Sequence, residues 1–340
     1  MKVSGLERSL LDWIEIPSIT GDEANYGEAL GAALQKRGFD VERQEVEPGR
    51  FNLLARAGRP EVVFCTHLDT VPPFFGSKVK DGVIHGRGSC DAKGQAAAML
   101  FAGERLLAAG EDRVAFLFTV GEETLSDGAR LANRSLADPW APKHVIVGEP
   151  TESKFVAGHK GLFHAHLVGH GVAGHSSQDV GPSAVHELIR AAARALDADW
   201  GEHELMGPGT LNLGQMEGGV APNVVAADGR LGFLLRAVEE PEVVRERLLS
   251  LLGEHVELVQ TGNAYGPVDF LVPEGEESQI VAFGTDAPHL RAWGQPLMIG
   301  AGSIMDAHTD HEQVKRRDLE DLVGRHVQTV QYLLQRIDSQ

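Results

Sequence analysis

The chain alternates between two hydrophobic rhythms. Apolar positions recur every three to four residues over about 5–15 and again over about 23–37, where the pattern stops at Gly38; each stretch reads as an amphipathic helix. Short apolar runs follow. "FDVERQEV" and "FNLLARAG" read as strands, and "EVVFCTHL" is an unbroken run suited to a strand covered on both faces. "GQAAAMLFAGERLLAAG" (94–110) is a helix opened and closed by glycine, and "RVAFLFTV" (113–120) and "KHVIVGEP" (143–150) are two more buried strands. Buried strands alternating with helices predict an α/β domain built on a mostly parallel sheet.

The rhythm changes after about residue 156. "LFHAHLVGH" reads as a strand, "SAVHELIRAAARALDADW" as a helix, "GTLNLGQMEG" and "NVVAADGRLGFLLRAV" as strands, "PEVVRERLLSLLG" as a helix and "HVELVQTG" as a strand. That order, β-α-β-β-α-β, is ferredoxin-like. From about 265 the α/β character returns, with "PLMIGAG" as a strand and "LEDLVGRHVQTVQYLLQRI" as a closing helix. The expected organisation is an α/β domain formed by 1–156 and 265–340, with an α+β module at 157–264 inserted into it.

Composition narrows the function classes. The chain has 340 residues and is 42% hydrophobic, enough for a sizeable core. No apolar run reaches eighteen residues, so no membrane partner is expected. A net charge of -18 argues against nucleic acid, which needs clustered Lys and Arg. The N-terminal stretch carries Glu7, Arg8, Asp12 and Glu15 among its apolar positions, a helix pattern and not a signal peptide. Cys65 and Cys90 form no CxxC pair and are too few for a disulfide scaffold, so a reducing cytoplasm is the expected location. Cys90 reads either as a small packed apolar residue or as a thiol near the site described next.

The chemistry gathers where strands end. "VFCTHLDTVP" closes an apolar strand on His67 and Asp69. Asp91 lies in the glycine-flanked loop "GRGSCDAKG", Glu122 and Glu123 follow the strand 113–120, Glu149 follows the strand at 143–148, and His308 follows the "PLMIGAG" strand. Ligands of open α/β sheets collect beyond the carboxyl ends of strands. Several carboxylates at one rim repel unless a cation compensates, and imidazole with carboxylate donors suits zinc first, with cobalt or manganese as the other candidates. A cocatalytic pair of divalent ions needs one bridging carboxylate and terminal ligands on each side; this set supplies them with one acid to spare. Most of the other histidines, His85, His144, His186, His203, His255, His289 and His326, have no comparable setting.

These segments, "HLDTVP", "GRGSCDAKG", "GEET", "GEPT", "AGHKG", "GVAGHSS" and "GAGSIMDAHTDHE", span nearly the whole chain. Together they resemble the M20 family of metallopeptidases and deacylases, and within it the acetylornithine and acetylcitrulline deacetylases. The resemblance implies a two-metal catalytic domain with an inserted lid that pairs two subunits into a homodimer. It implies that His67 and Glu149 are terminal ligands of one metal, that Asp91 bridges, and that Glu123 and His308 are terminal ligands of the other. Asp69 would hydrogen-bond the ligating imidazole and Glu122 would be the general base. A cis peptide is implied at Asp91-Ala92. In the lid, His175 would stabilise the oxyanion from the partner subunit's side, with Asn223 and Arg236 binding substrate; residues 300–303 would line a carboxylate pocket with backbone N–H groups. Ala226 stands where the family's lid motif usually has proline.

The function this implies is release of the acyl group from an N-acyl amino acid, N-acetyl-L-ornithine or N-acetyl-L-citrulline first, in arginine biosynthesis. "GTDAPHL" (284–290) and the "HKG" turn lean the same way. Desuccinylation of succinyl-diaminopimelate, dipeptide cleavage, and release of an amino acid from a carrier protein are alternatives on the same scaffold. A non-catalytic binding protein is the remote one, disfavoured because no ligand or base is missing.

Overall fold

A computed structural model describes residues 4–339; the first three residues and the last of the expected α/β domain lie outside that range. The chain divides into two compact units. One takes the chain up to Ala157 with Asp269–Gln279 and everything from Thr285 onward; the other is Gly158–Val268 with Ile280–Gly284.

The first unit is built on a six-stranded sheet in the order Asp40–Glu47, Arg50–Arg56, Val114–Thr119, Val62–His67, His144–Val147, Gln295–Met298. The last four strands run parallel, and the first two form an antiparallel hairpin on the edge. The two central strands, Val62–His67 and Val114–Thr119, are buried at every position, as their unbroken apolar runs require. Phe64, Phe116 and Phe118 face the main core, shared with the helices Gly5–Ile14, Ala24–Gln35, Lys93–Ala108 and Arg316–Asp338. Close approach is set by small residues. A side chain on Gly103 would stand 2.4 Å from the Phe116 ring, so the helix Lys93–Ala108 packs there only because residue 103 is glycine.

Some elements have no counterpart in the hydrophobic pattern. A small sheet joins Lys78–Lys80 and Val83–His85 to Gln313–Lys315, and a short helix spans Asp127–Arg134.

The second unit is the β-α-β-β-α-β module. Its sheet has the order Thr210–Gly218, Asp228–Ala237, Gly161–His170, Val256–Tyr265, antiparallel throughout. The helices Ala184–Asp197 and Pro241–Leu251 share a core with Phe163, Leu167, Leu231, Phe233 and Leu235. The fold is thus mixed α/β with a mostly parallel central sheet, plus a ferredoxin-like module.

Candidate active site

Register decides where the chemistry sits. His67 pairs with Thr119, so two parallel strands end at one level, and the third ends two residues earlier, where Val147 pairs with Cys65. The residues just past those ends share a rim. His67, Asp69, Asp91, Glu122, Glu123, Glu149 and His308 all belong to this unit.

His67 is buried, and its Nδ1 lies 2.9 Å from the backbone carbonyl oxygen of Asp69. A carbonyl only accepts, so Nδ1 carries the proton and Nε2 is the free donor atom. That Nε2 stands 3.0 Å from Asp91 Oδ1. In the neutral ring a lone pair then faces a carboxylate, an arrangement that a cation makes favourable. The second imidazole repeats it: His308 Nε2 is 2.9 Å from Glu123 Oε2 and 3.3 Å from Asp91 Oδ2. Asp91 therefore offers one oxygen to each histidine, as a bridging carboxylate must.

One ligand atom each from His67, Asp91 and Glu123 lie within 4.8 Å of one another. Two donors on one zinc-sized ion, each at about 2.0–2.1 Å, stand about 3 Å apart, close to the spacings found here. Glu149 is buried beside His67, Asp91 and Glu123, near enough for their charges to act on it. The donor set fits a pair of divalent cations. The bond between Asp91 and Ala92 is cis.

The same charges set the proton affinities. Burial alone would lower His67, but the Asp69 and Asp91 carboxylates outweigh it and hold the ring well above its usual value. Asp91 and Glu123 push His308 up to about 10. Burial raises Glu122 well above the usual carboxylate range; His67 opposes this, and Glu149, Asp286 and Glu123 add to it. Glu149 is raised in the same way, chiefly by burial.

Asp69 does more than orient the imidazole. Its carboxylate stands 3.5 Å from His67 Nδ1, farther than its own carbonyl oxygen. The carboxylate accepts instead from the amides of Glu122 at 3.2 Å and Glu123 at 3.1 Å, and from the Thr20 hydroxyl at 2.8 Å. One residue thus fixes the tautomer with its backbone and the Glu122–Glu123 loop with its side chain.

Cys90 is fully buried, and burial pushes its thiol up, so it is packed and not poised to react. The backbone of 300–303 differs from expectation at its first two residues. The amides of Gly300 and Ala301 are spent on Thr151 Oγ1 and Gln95 Oε1, both at 3.0 Å, which leaves them unable to serve a substrate carboxylate.

His175, Asn223 and Arg236 belong to the second unit. His175 and Val224 pair in a two-strand ladder, and Ser176 N–H donates to the Asn223 carbonyl at 3.1 Å, so His175 and Asn223 are neighbours. The amide of Ser177 donates to His175 Nδ1 at 3.2 Å. The neutral ring therefore keeps its proton on Nε2, as a hydrogen-bond donor. Arg236 lies at the far end of the strand Asp228–Ala237, on the face turned away from the helix-packed Leu235 and Ala237. Among the described residues its guanidinium has no hydrogen-bond or ion-pair partner. Its charge adds to the burial that pulls His159 down to about 4. His159 is thus a neutral core residue, and His170 is exposed and pairs with Glu257 at 3.4 Å.

Two buried acids bonded to or acting on the site residues escaped the sequence reading. Asp286 opens a 3-10 turn, accepts from the Thr119 hydroxyl at 2.6 Å and acts on Glu122 and Glu149. Glu312 is fully buried four residues past His308. Neither follows an apolar strand; the only local sign of Glu312 is its place in "HTDHE".

The sequence model of peptidase family M20/M25/M40 matches residues 63–238. A peptidase M20 domain-containing protein of Schizosaccharomyces pombe is 35% identical over 338 residues, covering 94% of this chain and 83% of its own. A probable carboxypeptidase of Aspergillus fumigatus is 33% identical over 381 residues, covering 96% and 86%. Among solved structures, an aminopeptidase of Bacillus cereus superposes with a TM-score of 0.77 at 19% identity, covering 95% of this chain and 96% of its own.

Proposed function

The chain belongs to peptidase family M20/M25/M40 and is a metal-dependent hydrolase of amide bonds; on that premise we propose that it cleaves amides whose nitrogen belongs to an amino acid with a free α-carboxylate. N-acetyl-L-ornithine and N-acetyl-L-citrulline are the first candidates. The observation that carries the reading is the half-buried, unpaired guanidinium of Arg236. A planar fork of donors suits a carboxylate, and a cation left without an acid is free to take one from a substrate. Peptides cleaved at their C-terminal residue present the same group, and the carboxypeptidase names among the relatives favour that second reading.

His67, Asp91, Glu123, Glu149 and His308 would hold two divalent cations, zinc first, with Asp91 between them. Divalent cations held there would polarise the scissile carbonyl and make a nearby water more acidic. Glu122, with its proton affinity raised by burial, takes the proton from the attacking water and returns it to the leaving nitrogen. His175, protonated at Nε2, donates to the oxygen on which negative charge develops.

Arg236 and His175 do not reach one small substrate from one chain. Eight residues of strand separate Arg236 from Asp228, about 26 Å at ~3.3 Å per residue, and His175 pairs beyond the Asp228 end. A shared site in a homodimer, with His175 and Asn223 supplied by the partner, removes that conflict. Exposed apolar residues on the module, Ile189 and Leu196 on one helix and Met216 on the edge strand, support pairing through it.

The test compares N-acetyl-L-ornithine, N-acetyl-L-citrulline and dipeptides with their α-amides, in wild type and Arg236→Ala. Loss of the charge-assisted contact should cost about 1.5–3 kcal/mol on the free acids and little on the amides. An equal loss on both would remove Arg236 as the clamp.

A further inference from the structure

The bridging position of Asp91 depends on a residue outside the ligand set. Asp91 sits in a loop, with Gly88 at φ +87 before it and the helix Lys93–Ala108 after it. Neither a strand nor a helix holds its backbone. Its amide and that of Cys90 point instead at one buried oxygen, Glu312 Oε1, at 3.1 and 3.0 Å. The other oxygen of that carboxylate accepts from Arg87 Nη1 at 2.6 Å. Arg87 is itself fixed: its Nε donates to the Pro73 carbonyl at 3.2 Å and its guanidinium lies 5.0 Å from the Phe75 ring centre. Both members of the pair are buried, Arg87 at 2% and Glu312 at 0% exposure.

Glu312 is also tied to the second histidine. It lies four residues past His308, whose φ is +62, and its own carbonyl accepts from Gly86 N at 3.1 Å. The next residue, Gln313, pairs with His85 in the small sheet. The segment 308–312 therefore carries one imidazole at its start and grips the Asp91 loop at its end.

We propose that Glu312 is a positioning residue of the metal centre. Its carboxylate holds the Cys90 and Asp91 amides so that Asp91 turns one oxygen to His67 and the other to His308, and it locks His308 and Asp91 together as one rigid pair of donors. Groups behind the ligands typically change metal affinity by about 10–100-fold when removed. The inference rests on the two-metal reading given above, and the experiment separates the two.

A simple charge-breaking variant would leave Arg87 buried alone and confound metal loss with misfolding, so the test uses neutral pairs. In Arg87→Met/Glu312→Gln the amide oxygen can still accept both N–H groups. In Arg87→Met/Glu312→Leu it cannot. Each purified protein is stripped with chelator and titrated with zinc against a competing indicator, and its cobalt form is scanned for the ligand-field bands that report coordination geometry. The Gln pair should bind two ions within about threefold of wild type. The Leu pair should lose roughly 10–100-fold at one or both sites, with shifted cobalt bands. If the Leu pair does not fold, Glu312→Asp carries the same test. It keeps the charge opposite Arg87 but is one methylene short of the two amides, and should lose at least about tenfold while its melting temperature stays near wild type. Equal zinc affinity and equal cobalt spectra in the Gln and Leu pairs, or an unchanged affinity in Glu312→Asp, would overturn the positioning role. Failure of wild type to bind two ions would instead overturn the metal-centre reading itself.

Discussion

Glu122 and Glu123 are adjacent, yet their surroundings give them different work. Glu123 touches His308 at 2.9 Å and stands among the ligand atoms. The Glu122 carboxylate makes no hydrogen bond among the described residues, which leaves it free for a water. Glu122→Ala should therefore retain both metals and lose about 10²–10⁴-fold in kcat, whereas Glu123→Ala and His308→Ala should lose metal. Elemental analysis beside kinetics checks this, and a Glu122→Ala enzyme with near-normal kcat would sink the base assignment. The protons of the site lead to a second expectation. In the chelator-stripped chain His67, His308, Glu122 and Glu149 all bind protons more tightly folded than unfolded. A raised pKa contributes stability that is complete below the unfolded value and lost as pH rises toward the folded one. The stripped protein should thus lose stability from about pH 4.5 upward through its carboxyls and, through His308, between the usual 6.5 and about 10. Divalent ions displace these protons, so the melting-temperature gap between loaded and stripped protein should widen from about pH 5.5 to 8.5. A gap that is flat across that range would mean the ions bind elsewhere.

At the level of elements, the sequence was most informative where burial is continuous. Val62–His67 and Val114–Thr119 are recognisable because a strand covered on both faces must be apolar at every position. The module's order was readable because its strands alternate, as in the burial of Gly161–His170. The helix Asp127–Arg134 was not, because it is eight residues long and carries Gly128 and Asn133, and its packing comes from contacts distant in the chain. The same holds for Asp286 and Glu312. Their partners, Thr119 and the Cys90–Asp91 amides, lie 167 and more than 220 residues away, so nothing local marks them. The seven site residues of the first unit were legible because each one follows an apolar strand or a glycine turn. The closing helix Arg316–Asp338 offers a test of what burial costs. His326 is fully buried against Phe64, with ring centres 5.0 Å apart, and neither ring nitrogen has a partner among the described residues. Burial pulls it down to about 3, so it stays neutral when folded. His326→Leu removes two unsatisfied polar atoms that cost about 1–3 kcal/mol, and should raise the melting temperature by a few degrees. It should also blunt the loss of stability below about pH 6.5, where the unfolded chain takes up a proton that the folded one refuses. A lower melting temperature would mean that the ring contributes packing that leucine does not replace.

At the scale of the whole molecule, the reading proposed above draws the donors for one substrate from two chains. Within a single chain the strand Asp228–Ala237 keeps Arg236 and the His175 turn at opposite ends of one sheet. The prediction is a homodimer in which His175 completes the neighbouring site. His175→Ala and Glu122→Ala subunits, each inactive alone, should then recover activity when mixed under conditions that allow subunit exchange. In a mixed dimer one site combines the intact metal donors and Glu122 of the His175→Ala chain with the intact His175 of the Glu122→Ala chain; the other site lacks both. Random pairing makes half of the dimers mixed, and each has one working site of two, so recovery should approach about a quarter of wild type. Differently tagged chains establish that mixed dimers formed. No recovery in proven mixed dimers would place His175 in its own chain's site or outside catalysis. Full activity from a monomer would defeat the shared site and leave the assignment of His67, Asp91, Glu123, Glu149 and His308 standing.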